Sequence, residues 1–437
     1  MMNITDSFID HLYAMANEIL PERVMEQAAL CAIDYIGCAA AGSKMMEARN
    51  KQFLNTVKKQ GGESNVIGTN YKTTLHNAAF LNAMNAHATE LDDGHRLGMI
   101  HLGASVFSAL MAVAELEDIS KEKVLQGAVV GYEAAVLLAM AMQPSHKVRG
   151  YHTSGTCGTV GSAMAIAAAV HFTKSEMKNA LSAATAGAAG LLEMQENDSE
   201  LKPYNLAHAA VAGITAAYAA KAGYSGPADP IGGRRGMLAV MSENAKTELL
   251  TQFEPDRYEI ERIYRKPYAA CRHCHPAIEA ALTIKHEHGI EPADIATIQV
   301  ETYKLAVGGH DHRDIQGVAS AKLSTPFSVA LALVTDKAGM DDFNITTINN
   351  KTILGLCQRV EVVSNEELTS WSPQKRAAIV NITTKENVRY SCEIDYPKGE
   401  PENPMTRKEV IEKFIVLAAS AGMSDKQIEN YSKYVLV

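Results

Sequence analysis

The sequence predicts a mainly α protein: a large all-helical domain built from both chain ends, with a smaller α+β domain inserted late in the chain. Three observations carry this reading. Residues 1 to about 260 run as one apolar-periodic segment after another, alternating β-branched runs begin only after Lys266, and helical periodicity returns beyond the Pro/Gly-rich stretch "YPKGEPENPMT". The domains so delimited are 1–265 with 405–437 for the helical part and 266–404 for the insert. At 437 residues the chain is long for a single core, so two domains are the natural expectation.

In chain order, "MMNITDSFIDHLYAMANEIL" lacks a basic start, a sustained apolar run and a small-residue cleavage site. It reads as an amphipathic first helix rather than a signal peptide, and the expected location is cytoplasmic. "PERVMEQAALCAIDYIGCAAAG" has three- and four-residue apolar spacing, opened by Pro21 and closed by Gly42. "EAAVLLAMAM" is strongly apolar but falls well short of the roughly 20 residues of a bilayer span, so no membrane partner is expected. Thr173 with Glu176 three residues on predicts a capping box. "NLAHAAVAGITAAYAAKAG", nearly all small residues, predicts a helix that lets backbones approach closely and ends at Gly223. Strands are predicted in "IATIQVETYKLAV", "QRVEVVS" and "RAAIVNITTKENVRYSCEIDYP", mixed with the helices "TPFSVALALVTDKAG" and "TTINNKTILGLC". "RKEVIEKFIVLAASAG" and "SDKQIENYSKYVLV" return to helix, so the C-terminus is expected to dock on the large domain.

Composition excludes several function classes. A net charge of −9 argues against nucleic acid as a partner. Cys271-Arg272-His273-Cys274-His275 spells the haem-attachment pattern C-x-x-C-H, but haem attachment requires export, which nothing here directs. Seven cysteines, an odd number, fit a reduced compartment better than a disulfide framework. Zinc at Cys271 and Cys274 needs two further ligands, and no second C-x-x-C exists to supply them. Neither haem nor a structural zinc is therefore expected at this motif.

The densest polar cluster is "NAHATELDDGHRLGMIHLGAS", with Glu90, Asp92, Asp93, His87, His95, His101 and Arg96. Carboxylates beside imidazoles fix tautomers and supply acid–base pairs near neutral pH. The bland alternative is a solvated loop capping the next helix, and this density of charge around Gly94 favours a site. G-x-x-G-x-x-G at Gly155, Gly158 and Gly161 follows no strand, so it is not a dinucleotide fingerprint. It reads as a closely packed helix start, with His152 just upstream. Lys202-Pro203 and Lys266-Pro267 stand at two helix entrances, where a lysine is more often plain surface.

Taken together, these segments resemble the MmgE/PrpD family, whose members include 2-methylcitrate dehydratase, cis-aconitate decarboxylase and iminodisuccinate epimerase. "NAHATELDDGHR…HLGAS", "GYHTSGTCGTVGSA", "LKPYNLAHAAVAG", "YSGPADPIGGRRGML" and "KPYAACRHCHPAIEAAL" match five family motifs in the correct order. The resemblance implies that the insert is a lid, that the pocket lies between lid and helical domain, and that the protein is a homodimer without cofactor. It implies a small di- or tricarboxylate substrate. Carried over by position, the polar pocket falls on Glu90, Asp93, His101, His152, Lys202, Lys266, Lys322 and either Cys271 or His275, with His208 where the family has another basic residue. Asp92 and His95 of the same polar cluster are further candidates for substrate binding. This sequence departs from the family at Glu90, which replaces Asp, Gly94, which replaces Thr, and Leu102, which replaces Pro. The family's frequent aromatic gives way to Thr325-Pro326-Phe327.

These residues suit chemistry beside a carboxylate, where a base must be paired with cations that stabilise an enediolate. His101 and His152 are the expected acid–base groups. Lys202, Lys266 and Lys322 are expected to hold carboxylates, and Asp93 to orient His101 or a protonated neighbour. The expected function is a lyase of the 2-methylcitrate dehydratase type, with epimerase or decarboxylase as alternatives. A non-catalytic anion-binding protein is the alternative of another class, and a metal-dependent hydrolase ranks third.

Overall fold

A computed structural model describes residues 3–196 and 199–435. Helix accounts for 59% of the protein and strand for 9%, which settles the mainly α class. The chain forms two compact units, Met1–Met194 with Leu201–Tyr264 and Thr406–Val437, and Gln195–Glu200 with Arg265–Met405.

The first unit is a stack of helices with small-residue seams. Lys121–Met142 and Tyr204–Lys221 both pack on Thr153–Ala169, and Arg407–Ser420 packs on Glu22–Met45. The central helix Thr153–Ala169 is buried along its whole length. Its glycines are what allow this: a Cβ at Gly161 would lie 2.8 Å from the Gly131 carbonyl oxygen of the neighbouring helix. Thr173 and Glu176 form the capping box that opens Lys174–Gly187.

Two expectations are corrected. Gly42 does not end its helix, which runs Glu22–Met45. A Cβ at Gly42 would sit 1.9 Å from the Asn85 carbonyl oxygen, so the glycine serves a close crossing with the helix Leu75–Ala88, not termination. The "EAAVLLAMAM" segment belongs to Lys121–Met142, which with Glu22–Met45 is long and apolar enough to cross a membrane. The most apolar windows of these helices are 100% and 83% buried inside the protein, as core helices are.

The second unit carries a four-stranded mixed sheet in the order Val360–Ser364, Ile295–Thr302, Ala378–Thr384, Arg389–Ile394. Val300 pairs in parallel with Val362 and antiparallel with Val380, which pairs antiparallel with Cys392. The helix His275–His288 packs on the last two strands and on the helix Thr325–Thr335. Alternation along Ile295–Thr302 places Ile298, Val300 and Thr302 in the interior.

Candidate active site

In the first unit, the helix Leu75–Ala88 delivers His87 near its C-terminus, and the following turn reverses through Glu90 at φ +56°, a left-handed conformation that non-glycine residues seldom adopt. The segment then passes Asp92, Asp93 and His101 before entering the helix Gly103–Leu116. It is held by the helix Arg407–Ser420: Lys413 Nζ lies 2.7 Å from the Leu91 carbonyl oxygen and 2.7 Å from Asp34 Oδ1. Burial works against the Lys413 charge, but Asp34, Cys38 and Asp92 together outweigh it and hold the ammonium above its ordinary pKa.

Three imidazoles converge here. The His87 and His101 ring centres are 4.9 Å apart, and His152 lies 6.4 Å from His87. His87 Nδ1 is 2.7 Å from Asp92 Oδ2, and His101 Nδ1 is 3.7 Å from the same oxygen. His101 Nδ1 also donates to the Asp93 main-chain oxygen at 2.7 Å. A carbonyl only accepts, so the proton sits on Nδ1 and neutral His101 carries its lone pair on Nε2. The Ser154 hydroxyl accepts from the His101 main-chain N–H, and the His101 side chain stays 16% exposed, which leaves it reachable.

The Asp93 carboxylate faces elsewhere. Oδ1 accepts from Gly103 N at the helix start, and Oδ2 accepts from the Tyr132 hydroxyl at 2.6 Å. Burial raises its pKa to about 6 despite these two bonds. Asp93 therefore orients His101 through its backbone, while its side chain anchors the helix.

His152 stands just ahead of Thr153–Ala169. Its imidazole pKa is held well below the ordinary value, first by burial and then by His87, Lys202, His101 and Lys147. His152 Nδ1 and His87 Nε2 are buried without a hydrogen-bond partner among the described residues, which marks this cluster as a place for a polar ligand. Lys202 forms a buried ion pair with Glu90. His87, Asp92 and His101 place one donor atom each within 4.8 Å of one another, a set that could also hold a metal ion.

Two other predicted residues of this unit are engaged by the fold. His95 Nδ1 accepts from Gly98 N at 3.0 Å, and its Nε2 lies 3.1 Å from Glu259 Oε2. His208 Nε2 donates to the Gly187 carbonyl oxygen at 3.2 Å, at the end of Lys174–Gly187.

The second unit holds the remaining candidates. Lys266 is fully buried, Lys322 is 2% exposed, and the Lys322 carbonyl oxygen accepts from Cys271 N at 2.8 Å. His275 has both nitrogens occupied, Nδ1 accepting from Arg272 Nη1 at 2.9 Å and Nε2 donating to the Ala270 carbonyl oxygen. Arg272 in turn pairs with buried Glu400. Of the two alternatives at this motif, Cys271 is the partly exposed one.

The sequence profile of the MmgE/PrpD N-terminal domain matches residues 7–250, and that of the C-terminal domain matches 268–433. The chain belongs to the MmgE/PrpD family. This MmgE/PrpD chain is 24% identical over 441 residues to a cis-aconitate decarboxylase of Aspergillus terreus, covering 93% of this chain and 87% of the relative. It is 24% identical to the cis-aconitate decarboxylase-like protein oryM of Aspergillus oryzae, covering 98% and 93%. To the human cis-aconitate decarboxylase it is 22% identical, covering 100% and 92%.

Two departures from the family motifs now have a physical setting. A Cβ at Gly94 would lie 2.4 Å from the Tyr264 hydroxyl, so Tyr264 occupies the space a larger residue at this position would need. Leu102 has φ −122°, far from the roughly −65° to which proline is locked. Tyr264, whose ring stands edge-on to His101 at 6.2 Å, was not legible in the sequence. His87 was visible within the polar cluster, but only its short contact with Asp92 separates it from the other histidines.

Proposed function

We propose that this MmgE/PrpD chain is a lyase that moves a proton at the carbon next to a carboxylate of a small di- or tricarboxylate. The observation that carries the reading is the fixed tautomer of His101, which offers a basic Nε2 beside two further imidazoles and the Lys202–Glu90 pair. His101 Nε2 takes the proton, the electron pair moves into the carboxylate as an enediolate, and the Lys202 ammonium opposes that charge. Collapse of the enediolate with loss of a β-hydroxyl, protonated by the imidazolium that His101 has become, gives an alkene and water. This is dehydration of the 2-methylcitrate type.

A second reading has specific support, because full-length relatives are named as cis-aconitate decarboxylases. In that direction the carbon–carbon bond to a carboxylate breaks, CO2 leaves, and the carbanion takes a proton from the imidazolium of His101. Asp92 Oδ2 lies 3.7 Å from Nδ1 of that ring. The two readings require opposite protonation states of one ring. Dehydration slows as acid protonates His101, and decarboxylation slows as base deprotonates it.

The experiment is turnover of 2-methylcitrate, citrate, cis-aconitate, tartrates and iminodisuccinates, followed by proton NMR and CO2 release. A new alkene without CO2 supports dehydration, CO2 release supports decarboxylation, and inversion at carbon points to epimerisation. Tight binding of a polycarboxylate by folded protein without change in any of them would replace the lyase reading with that of an anion-binding protein.

A further inference from the structure

We propose that Cys271, His273 and His310 of the second unit form a binding site for a thiophilic divalent transition ion of the zinc class. One donor atom from each residue lies within 4.8 Å of the others. Cys271 Sγ and His310 Nε2 are 3.9 Å apart. A tetrahedral zinc ion with ordinary bond lengths sets sulfur and nitrogen ligands about 3.5 Å apart, so a few tenths of an ångström of adjustment closes this edge.

The imidazoles are held as ligands are held. His310 Nδ1 donates to the Leu323 carbonyl oxygen at 2.8 Å, which leaves the lone pair of the neutral ring on Nε2, the atom facing Cys271. His273 Nδ1 is hydrogen-bonded to the Tyr303 hydroxyl, and Tyr303 is fully buried, so that ring is fixed as well. The rings of His273 and His310 lie 5.0 Å apart. His273 and His310 are buried and Cys271 is partly exposed. A pocket of about 320 Å³, lined by His310, His312, Asp314 and Ser320 among others, reaches one of the three residues, His310.

Spacing along the chain points to the wrong pair. Cys274, which completes C-x-x-C with Cys271, has its sulfur 3.9 Å from the Leu323 carbonyl oxygen and 3.4 Å from the Thr325 hydroxyl. The fold instead brings Cys271 to His310, 39 residues on and beyond the strand Ile295–Thr302 in sequence. Three protein donors leave a fourth position for water or another small ligand. Binding exchanges the Cys271 thiol proton, released to solvent, for a metal–sulfur bond, and no oxidation state changes.

The test titrates chelator-stripped full-length protein with Co(II). A stoichiometric sulfur-to-cobalt charge-transfer band, displaced by Zn(II), is expected. The His87–Asp92–His101 group contains no sulfur and cannot give that band. Cys271→Ser should abolish the band, and Tyr303→Phe, which keeps all three ligands, should weaken binding about tenfold. Zn(II) should also slow alkylation of Cys271 in the unaltered protein, read by mass spectrometry, which keeps the test independent of variant folding. Absence of a charge-transfer band at one equivalent, its persistence in Cys271→Ser, or alkylation of Cys271 unaffected by Zn(II) would each overturn the assignment.

Discussion

His101 Nδ1 lies 2.7 Å from the main-chain oxygen of Asp93, and this contact decides which nitrogen of the ring can act as a base. The oxygen belongs to the backbone, so changing the Asp93 side chain should leave the tautomer intact. His101→Gln is expected to lower kcat/KM by about 10²- to 10⁴-fold, the usual worth of a general base. Asp93→Asn should cost far less activity. Steady-state kinetics on the same substrate with both variants checks the ordering.

His152 makes acid stability a sensitive readout. Its folded pKa is depressed, first by burial and then by surrounding positive groups, so the unfolded chain accepts a proton that the folded chain refuses. Its contribution is fully present above about pH 6.5, the unfolded histidine value, and is lost as pH falls toward the folded value, at up to about 1.4 kcal/mol per pH unit. His152→Gln should flatten this loss. Urea midpoints measured from pH 7 down to pH 5 test it, and equal slopes in the two proteins would contradict it.

Gly94 and Tyr264 should behave as a coupled pair. Gly94→Thr places a Cβ against the Tyr264 ring and is expected to cost about 1–3 kcal/mol by overpacking. Tyr264→Ala in the same chain should return part of that loss. A double-mutant cycle on unfolding free energies measures the coupling, and simple additivity would sink the idea.

Lys413 and Asp34 form a buried pair, with side chains 10% and 1% exposed. Lys413→Met leaves the Asp34 carboxylate buried without its cation and is expected to destabilise by about 3–5 kcal/mol. Adding Asp34→Leu should recover most of this, because no buried charge is then stranded. Denaturant unfolding reads the stability. Activity of the single variant shows whether loss of the Leu91 contact also disturbs the site segment.

What could be read from sequence was the part written in local terms. The Thr173–Glu176 capping box depends on residues a few positions apart and forms as the pattern says, whereas the predicted strand "IATIQVETYKLAV" forms only over Ile295–Thr302 and its end, Lys304–Val307, is helical. The polar cluster from His87 to His101 was equally visible, since one short stretch of chain supplies it. Gly42 was misread because its meaning lies in Asn85 on another helix. Tyr264 and Lys413 were missed for the same reason: their partners at Gly94, Asp34 and Leu91 come from distant parts of the chain. The direction of each imidazole was also beyond the sequence, because tautomers are set by hydrogen bonds that only the fold creates.

Proton NMR in D2O tests the central claim most directly. The protein would be incubated with each di- and tricarboxylate, beside His101→Gln shown by circular dichroism to be folded. The account predicts enzyme-dependent entry of deuterium at a carbon adjacent to a carboxylate, in substrate or product, and its loss in the variant. Turnover without deuterium at that carbon, or undiminished labelling in His101→Gln, would contradict it.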